Sequence, residues 1–571
     1  MKLLVVPLLF SSCALAQGHH HALNTEPAVD LAKLPGPVAM EGIGHSHIPI
    51  TTKSPEVQRW FDQGLELLHC FWDYEAMRAF EQAARIDPDC AMCHWGLARA
   101  LNMRGNADRA KPELAKAKEL SDKASDREQR YIRADAASQD QKGDAGDHAF
   151  AEEMEALIQR YPDDIDAKLL YVLWLNHGYD EKGDPRSGTF YGQAMLQELL
   201  RQYPDNAATN HYWIHAIEDS EHPEWALESA ERLGSLAPAS GHMVHMPGHI
   251  FFRVGDYERA RQIFLAAKRV DADYMARQHV AIRDDWNYVH NISYLIADCA
   301  EEGRYQEARE EAHTLAGVAD DPDRTSNPFF YVLQIGSTEA RLAVRYARWD
   351  DVIEHPLNFG VADEKLNVWA RGYRDGLLEY ARGMKAAEAS RLADAETHAT
   401  GLEALLWRVS QEDLDEKNQS GQKRVLKLLG TASLELRGLI AGQRGDFEGA
   451  RKLLNCADEE EKKLGYSEPP LYSRPALEVL GALSVRAAKF DEARAEFAKA
   501  LARRPHSGFA LYGVATAWDK EGKRPEAVKA YREFLDAWSH ADDDLPQVRA
   551  ARQYLAAANS IGTVGTSRGT W

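Results

Sequence analysis

The sequence predicts an all-α protein in which helix–turn–helix units stack into a right-handed superhelical solenoid, with irregular helical insertions between the regular units. Three observations carry this. Helical periodicity begins at Ser54 and runs through most of the 571 residues. A register of small and bulky residues returns along it. In PEVQRWFDQGLELLHCFWDYEAMRAFEQAARIDPD, Gly64, Ala76 and Ala83 fall where two antiparallel helices must come close, Phe80 supplies the bulk between them, and Pro88 stops the second helix. Finally, His211 and His215 recur 34 residues on as His245 and His249, and that offset is the length of one helix–turn–helix unit.

The elements follow in order. The start, MKLLVVPLLFSSCALAQ, has a charge at Lys2, an apolar run and Ala14-Leu15-Ala16; it reads as a secretory signal over 1–16. Lipidation at Cys13 is the alternative. The expected location is therefore secreted or periplasmic. Residues 17–54 form an extended arm rich in His, Gly and Pro, whose His45 and His47 could close over a site as a lid. The N-terminal solenoid spans 55–320, and its register returns as Ala226, Ala230, Leu233 and Pro238, then as Gly248, Ala260, Phe264 and Ala267. SDREQR and KGDPRSGTFY read as insertions. DDPDRTSNP breaks the pattern near 320, and a second solenoid over 321–550 carries Gly481, Ala493, Phe497, Ala500 and Pro505, followed by Ala527, Tyr531 and Phe534. Residues 551–571 read as a mostly disordered tail.

Composition narrows the function. With 89 acidic residues against 68 Lys and Arg, a net charge of −21, the chain is a poor nucleic-acid binder. No stretch after the start approaches the ~18 continuous apolar residues of a membrane helix. The five cysteines left after cleavage are too few for a disulfide scaffold. Cys90-Ala91-Met92-Cys93-His94 matches the attachment motif of a c-type haem. It also lies at the start of a repeat helix, so a Cys90–Cys93 disulfide, a bridge to Cys70 and buried thiols are the competing readings. His69 with Asp62 and Asp73 could form a small polar site, against simple helix-surface chemistry.

The units quoted above resemble the tetratricopeptide repeat, with Gly64, Ala76, Phe80, Ala83 and Pro88 on its signature positions. That resemblance implies that first helices of successive units line a concave groove, with positions two, five, nine and twelve facing inward. Counted from Ala207, His211 and His215 are at five and nine and Glu218 at twelve. Counted from Gly241, His242 is at two, and His245 and His249 at five and nine. His290 takes position two and Ser293 position five of the next unit, while Asp219 and His222 lie close by in sequence. Residues four apart share a helix face, and adjacent helices lie roughly 8–10 Å apart. Opposed imidazoles can bridge that gap through a transition metal, with zinc, copper and iron all suited to such donors.

ATNHYWIHAIEDSEHPEWAL, SGHMVHMPGHIFFRVGDYERA and VHNISYL further resemble a widespread group of bacterial tetratricopeptide proteins, many of which look exported. The likeness extends over GHSHIPITTKSPEVQRWFDQGL, DPDCAMCHWGLA and EVLGALSVRAAKFDEARAEFAKAL, most of the chain. It implies a shared fold and histidine array but no reaction. That group tends to carry histidine where this chain has Ser293, and often tyrosine where it has His94.

Two function classes follow. In one, an exported metalloenzyme holds metal on His211, His215, His245 and His249, with Glu218, His242 and His290 as acid, base or supporting groups. In the other, a non-enzymatic scaffold grips a peptide, protein or small molecule in the concave groove, with metal structural or absent.

Overall fold

A computed structural model describes residues 35–318 (apart from 142 and 181), 332, 335–359, 366–414 and 416–564. The predicted signal 1–16, most of the arm before residue 35, the boundary near 320 and the last residues of the tail lie outside these. The regular elements of the described residues are all helices, with one isolated bridge, Tyr179 to Pro185, in place of any sheet. The chain groups into two compact units, Met1–Pro247 and Gly248–Trp571.

Among the described residues of the N-terminal unit, ten helices run as five antiparallel pairs: α1 (Pro55–His69) with α2 (Asp73–Ile86), α3 (Ala91–Met103) with α4 (Ala107–Leu120), α5 (Asp126–Asp140) with α6 (Asp144–Arg160), α7 (Ile165–Leu175) with α8 (Thr189–Gln202), and α9 (Ala207–Ile217) with α10 (Leu227–Leu236). The next helix, α11 (Gly241–Val254), begins in this unit. The C-terminal unit continues with α12 (Tyr257–Gln278), α13 (Trp286–Glu301), α14 (Tyr305–Val318), the short α15 (Thr338–Arg345) and α16 (Trp349–Glu354), and the long α17 (Val368–Glu388), α18 (Leu392–Ser410) and α19 (Glu416–Gln443). It ends with α20 (Phe447–Lys462), α21 (Ala476–Arg486), α22 (Phe490–Arg503), α23 (Gly508–Glu521), α24 (Arg524–Ala537) and α25 (Pro546–Val564). This is the helix-pair repeat of a tetratricopeptide-like solenoid.

The small-and-bulky register works by wedging. Phe80, fully buried on α2, lies so close to Gly64 on α1 that a Cβ there would sit 2.8 Å from its ring, and it crowds Gly96 on α3 more tightly still. One aromatic thus sets the spacing within its own pair and to the next. Phe497 repeats the device in the C-terminal unit between Gly481 and Gly513. In SDREQR, Ser125 and Glu128 form a reciprocal capping box that starts α5. Glu128 also accepts from the backbone and hydroxyl of Thr51, tying the arm to the repeats. KGDPRSGTFY forms the connection between α7 and α8, closed by Asp180 accepting from the Lys182 and Asp184 amides.

The described part of the arm lies along α1. Ile43, Ile48 and Ile50 are buried, Cys70 donates its thiol to the Ile43 carbonyl, and the Ser46 amide donates to Glu66. His45 and His47 are exposed, and His47 pairs with Asp62 on α1 at 2.9 Å. They decorate a docked strap whose Gly42 carbonyl accepts from the Ala239 amide just before α11.

Burial pushes the Glu66 carboxyl up to about 7 from an ordinary 4.5. Between those values the folded chain holds a proton the unfolded chain has released, so stability falls as pH rises through that window. Glu66→Gln should flatten this slope and be more stable than the parent above pH 7, as measured by urea unfolding across a pH series.

Candidate metal centre

Helix α9 starts at Asn206, whose side chain accepts from the Thr209 amide, and this sets the phase of the helix that carries His211 and His215 one turn apart. Their rings meet His242 from α11. The Nε2 atoms of His211 and His215 are 2.8 Å apart, and those of His211 and His242 are 3.1 Å apart. All three side chains are buried, and one nitrogen from each falls within a common 4.8 Å cluster.

The opposite edges of two rings decide their tautomers. His211 Nδ1 lies 2.7 Å from the His69 carbonyl oxygen, and His215 Nδ1 lies 2.6 Å from Glu218 Oε1. A carbonyl and a carboxylate only accept, so each Nδ1 carries the proton and donates it. Both Nε2 atoms therefore face each other in a buried space, at a distance that either a shared proton or a metal cation between them accounts for. Three nitrogens around one tetrahedral zinc would be separated by about 3.3 Å, given Zn–N bonds of ~2.0–2.1 Å, close to the separations seen. Glu218 stands where an outer carboxylate would orient a metal-binding imidazole and raise its basicity.

Phe71 covers the cluster. Its ring centroid lies 4.7 Å from that of His211, 5.2 Å from His215 and 5.6 Å from His242. The residue sits in the turn after α1 with φ +54°, while its amide and that of Trp72 close back onto the Leu68 and Leu67 carbonyls. Glycine normally takes that left-handed position. A phenylalanine there costs roughly 1–2 kcal/mol, so the fold tolerates strain to place an apolar ring over the nitrogens.

His69 is the hub behind the cluster. Its Nε2 lies 3.1 Å from Asp166 on α7 and its Nδ1 2.9 Å from the Tyr212 hydroxyl. With Nε2–H donating to the carboxylate, Nδ1 accepts from Tyr212, and burial holds that phenol well above its usual pKa. The sequence had set His69 beside Asp62 and Asp73; the true partners are distant in sequence and buried. Tyr212 also forms part of the wall of a cavity of about 300 Å³ lined mainly by first helices: Leu68 of α1, Ala98 and Arg99 of α3, Asp135 of α5, Leu170 of α7 and Tyr212 of α9. Arg99 and Asp135 pair there at 2.9 Å, leaving a largely apolar recess with one internal ion pair.

Of the residues proposed from sequence, the structure joins His211, His215 and Glu218 to His242. The His245 ring lies 6.0 Å from that of His242. His249 and His290 belong to the C-terminal unit, with ring centroids 5.7 Å apart. The Ser293 hydroxyl donates to the Val289 carbonyl of its own helix. Asp219 accepts from the Tyr179 amide, and His222 stacks on the half-exposed Trp225 at 4.4 Å. The two thiols of the haem-like motif are bonded to each other as a Cys90–Cys93 disulfide. His94 contacts Glu113 at 2.7 Å and the Pro88 carbonyl at 3.1 Å. Burial disfavours its imidazolium, but these acceptors outweigh burial and raise its pKa. Cys70 is a free thiol that burial pushes up to about 12.

No family model and no curated protein matches the chain. Among solved structures it is similar to the TPR domain of P58(IPK), at 13% identity over 90% of this chain and 99% of that one with a TM-score of 0.22. It is similar also to yeast Tom70, at 12% identity over 90% and 97% with a TM-score of 0.31. A third is the APC/C hetero-tetramer Cut9-Hcn1, at 14% identity over 88% and 96% with a TM-score of 0.27. Scores this low carry no functional weight. The class is defined by the chain itself: a helix-pair repeat protein with a buried histidine cluster able in principle to coordinate a metal.

Phe71→Ala and Phe71→Gly both remove the ring and should each cost several kcal/mol, within the ~3–5 kcal/mol of a lost core phenylalanine. Only glycine relieves the positive φ. The glycine variant should therefore be the more stable of the two by about 1 kcal/mol in chemical denaturation.

Proposed function

We propose that this protein is an exported binding scaffold whose N-terminal unit receives a peptide and is braced by a transition-metal ion on His211, His215 and His242. The observation that carries the reading is the convergence of the three Nε2 atoms behind the wall of the first-helix cavity. Tyr212 faces that cavity and bonds His69, whose carbonyl orients His211. Metal and recess then share one hydrogen-bonded wall, and filling the triad stiffens the surface a ligand meets. A rigid, pre-ordered recess binds with less entropy to lose. The recess suits an apolar side chain of an extended peptide, while the Arg99–Asp135 pair offers hydrogen bonds to its backbone. Export is supported by the leader-like start and by the Cys90–Cys93 bridge, which belongs to an oxidising compartment.

A metalloenzyme is the second reading, favoured by the fourth position that three imidazoles leave on a tetrahedral ion. On that reading Glu218 acts through His215 and His242 is itself a ligand. Neither is then the proton carrier.

Metal analysis of the purified chain tests the core of the proposal. His211→Ala and His242→Ala should each lose one equivalent of a first-row metal, and unchanged content in both would sink it. Glu218→Gln should keep the ion but bind it ~10–100-fold more weakly in chelator competition. Leu170→Trp, which fills the recess, should abolish binding on an array of apolar-anchored peptides without changing metal content. Ester or peptide turnover that disappears in His242→Ala would favour the enzyme.

A further inference from the structure

Within the C-terminal unit, the turn between α24 and α25 returns to the turn between α13 and α14. Trp538 donates its indole N–H to the Glu301 carbonyl at 2.7 Å, and the Asp542 amide donates to the Gly303 carbonyl at 3.1 Å. The Asp542 carboxylate accepts from the Gln306 amide at 2.8 Å. Gly303, at φ +79°, makes this approach possible, since a Cβ there would sit 2.6 Å from that of Ala541. The docking gathers three donors. Glu258 lies in the first turn of α12, Glu302 caps α13, and His540 belongs to the returning turn. One ligand atom from each falls within a common 4.8 Å cluster. Glu258 Oε2 and His540 Nδ1 are 3.7 Å apart, too far for a hydrogen bond. Glu302 is buried, whereas the side chains of Glu258 and His540 are 36% and 54% exposed, so the cluster is sealed on one side and open to water on the other.

On the sealed side stands a further carboxyl. Asp298, one turn before Glu302 on α13, is fully buried, and neither of its oxygens has a hydrogen-bond partner among the described residues. The charges that act on it most strongly are, in order, those of Glu302, Arg261, Glu301 and Glu258, so it faces the cluster. Glu301 is already matched, by Arg345 at 3.0 Å and Arg504 at 3.1 Å. The other acids grouped here are Asp298, Glu258, Glu302 and Glu307. Arg261 pairs with Glu307 at 2.7 Å, and Arg304 pairs with Glu258 at 2.7 Å and with Glu302 at 2.9 Å. Among the described residues, four carboxyl groups thus meet two guanidiniums. Fully ionised, they carry two negative charges in excess, one of them on the unpartnered Asp298, where burial makes a bare charge costly. One divalent cation supplies the missing two.

We propose that Glu258, Glu302 and His540 bind one divalent cation, with Asp298 as the buried counter-charge behind them, and that this ion staples the turn after α24 to α12 and α13. Two carboxylates and one imidazole, with further positions open to water on the exposed side, suit manganese(II) or zinc(II). Arg304, which bridges Glu258 and Glu302, is a monovalent stand-in that competes with the ion for the same oxygens. The site shares no residue with the three-imidazole cluster of the N-terminal unit, so the two stand or fall separately.

Manganese(II) titration followed by electron paramagnetic resonance tests the site in the full-length His211→Ala chain, whose imidazole cluster is incomplete. That chain should take up one equivalent, and adding His540→Ala or Glu302→Gln to it should abolish the uptake. No equivalent bound by His211→Ala, or one kept by both added variants, would overturn the site. His540 is exposed and glutamine keeps the volume of Glu302, so unchanged circular dichroism shows that both variants are folded. Asp298→Asn leaves every ligand in place and should weaken binding about 10–100-fold; unchanged affinity would remove Asp298 from the site. Arg304→Met, which takes away the competing charge, should tighten it. Saturating manganese(II) should also slow hydrogen exchange at the Gln306 and Asp542 amides in His211→Ala and not in its His540→Ala derivative. Equal exchange with and without the ion would overturn the staple while leaving the ion in place.

Discussion

Close approach of helices is the constraint on which everything else here depends. Phe80 wedged against Gly64 and Gly96, and Phe497 against Gly481 and Gly513, hold neighbouring helices at a spacing that larger residues would forbid. The glycines sacrifice helix propensity, of the order of 1 kcal/mol each relative to alanine. The return is burial of a whole aromatic ring against two helices at once, worth about 1.5–3 kcal/mol. With that spacing set, α9 and α11 stand side by side in register within the N-terminal unit, and side chains at fixed heights must meet. The histidine cluster is a consequence of that stacking.

Once met, three imidazoles pose an electrostatic problem that packing alone does not solve. Buried nitrogens with facing lone pairs are unfavourable in a medium of low polarity, where polar groups need partners. The chain has fixed the outer edges of two rings with acceptors, Glu218 and the His69 carbonyl, which keep a proton on each Nδ1. Phe71 then excludes water from one side, at the cost of a left-handed backbone. Each step holds the inward-facing nitrogens together in an enclosed, weakly polar space. The tautomers and the strain point the same way, and they arise from different residues.

How much of this the sequence could reveal depended on distance along the chain. The helix pairs were legible because period, helix stops and the small-and-bulky register are local, and Gly64, Phe80 and Gly481 all behave as that register requires. His211 and His215 were legible because a 34-residue echo reports the repeat itself. Glu218 was visible by its register position, though its task is to hold His215. Phe71 and Asp166 were not seen, since each reaches its partner across long stretches of chain from a turn or a helix start, and nothing local marks it. In SDREQR the helix start was local and legible, with Ser125 and Glu128 at the spacing of three that a capping box requires.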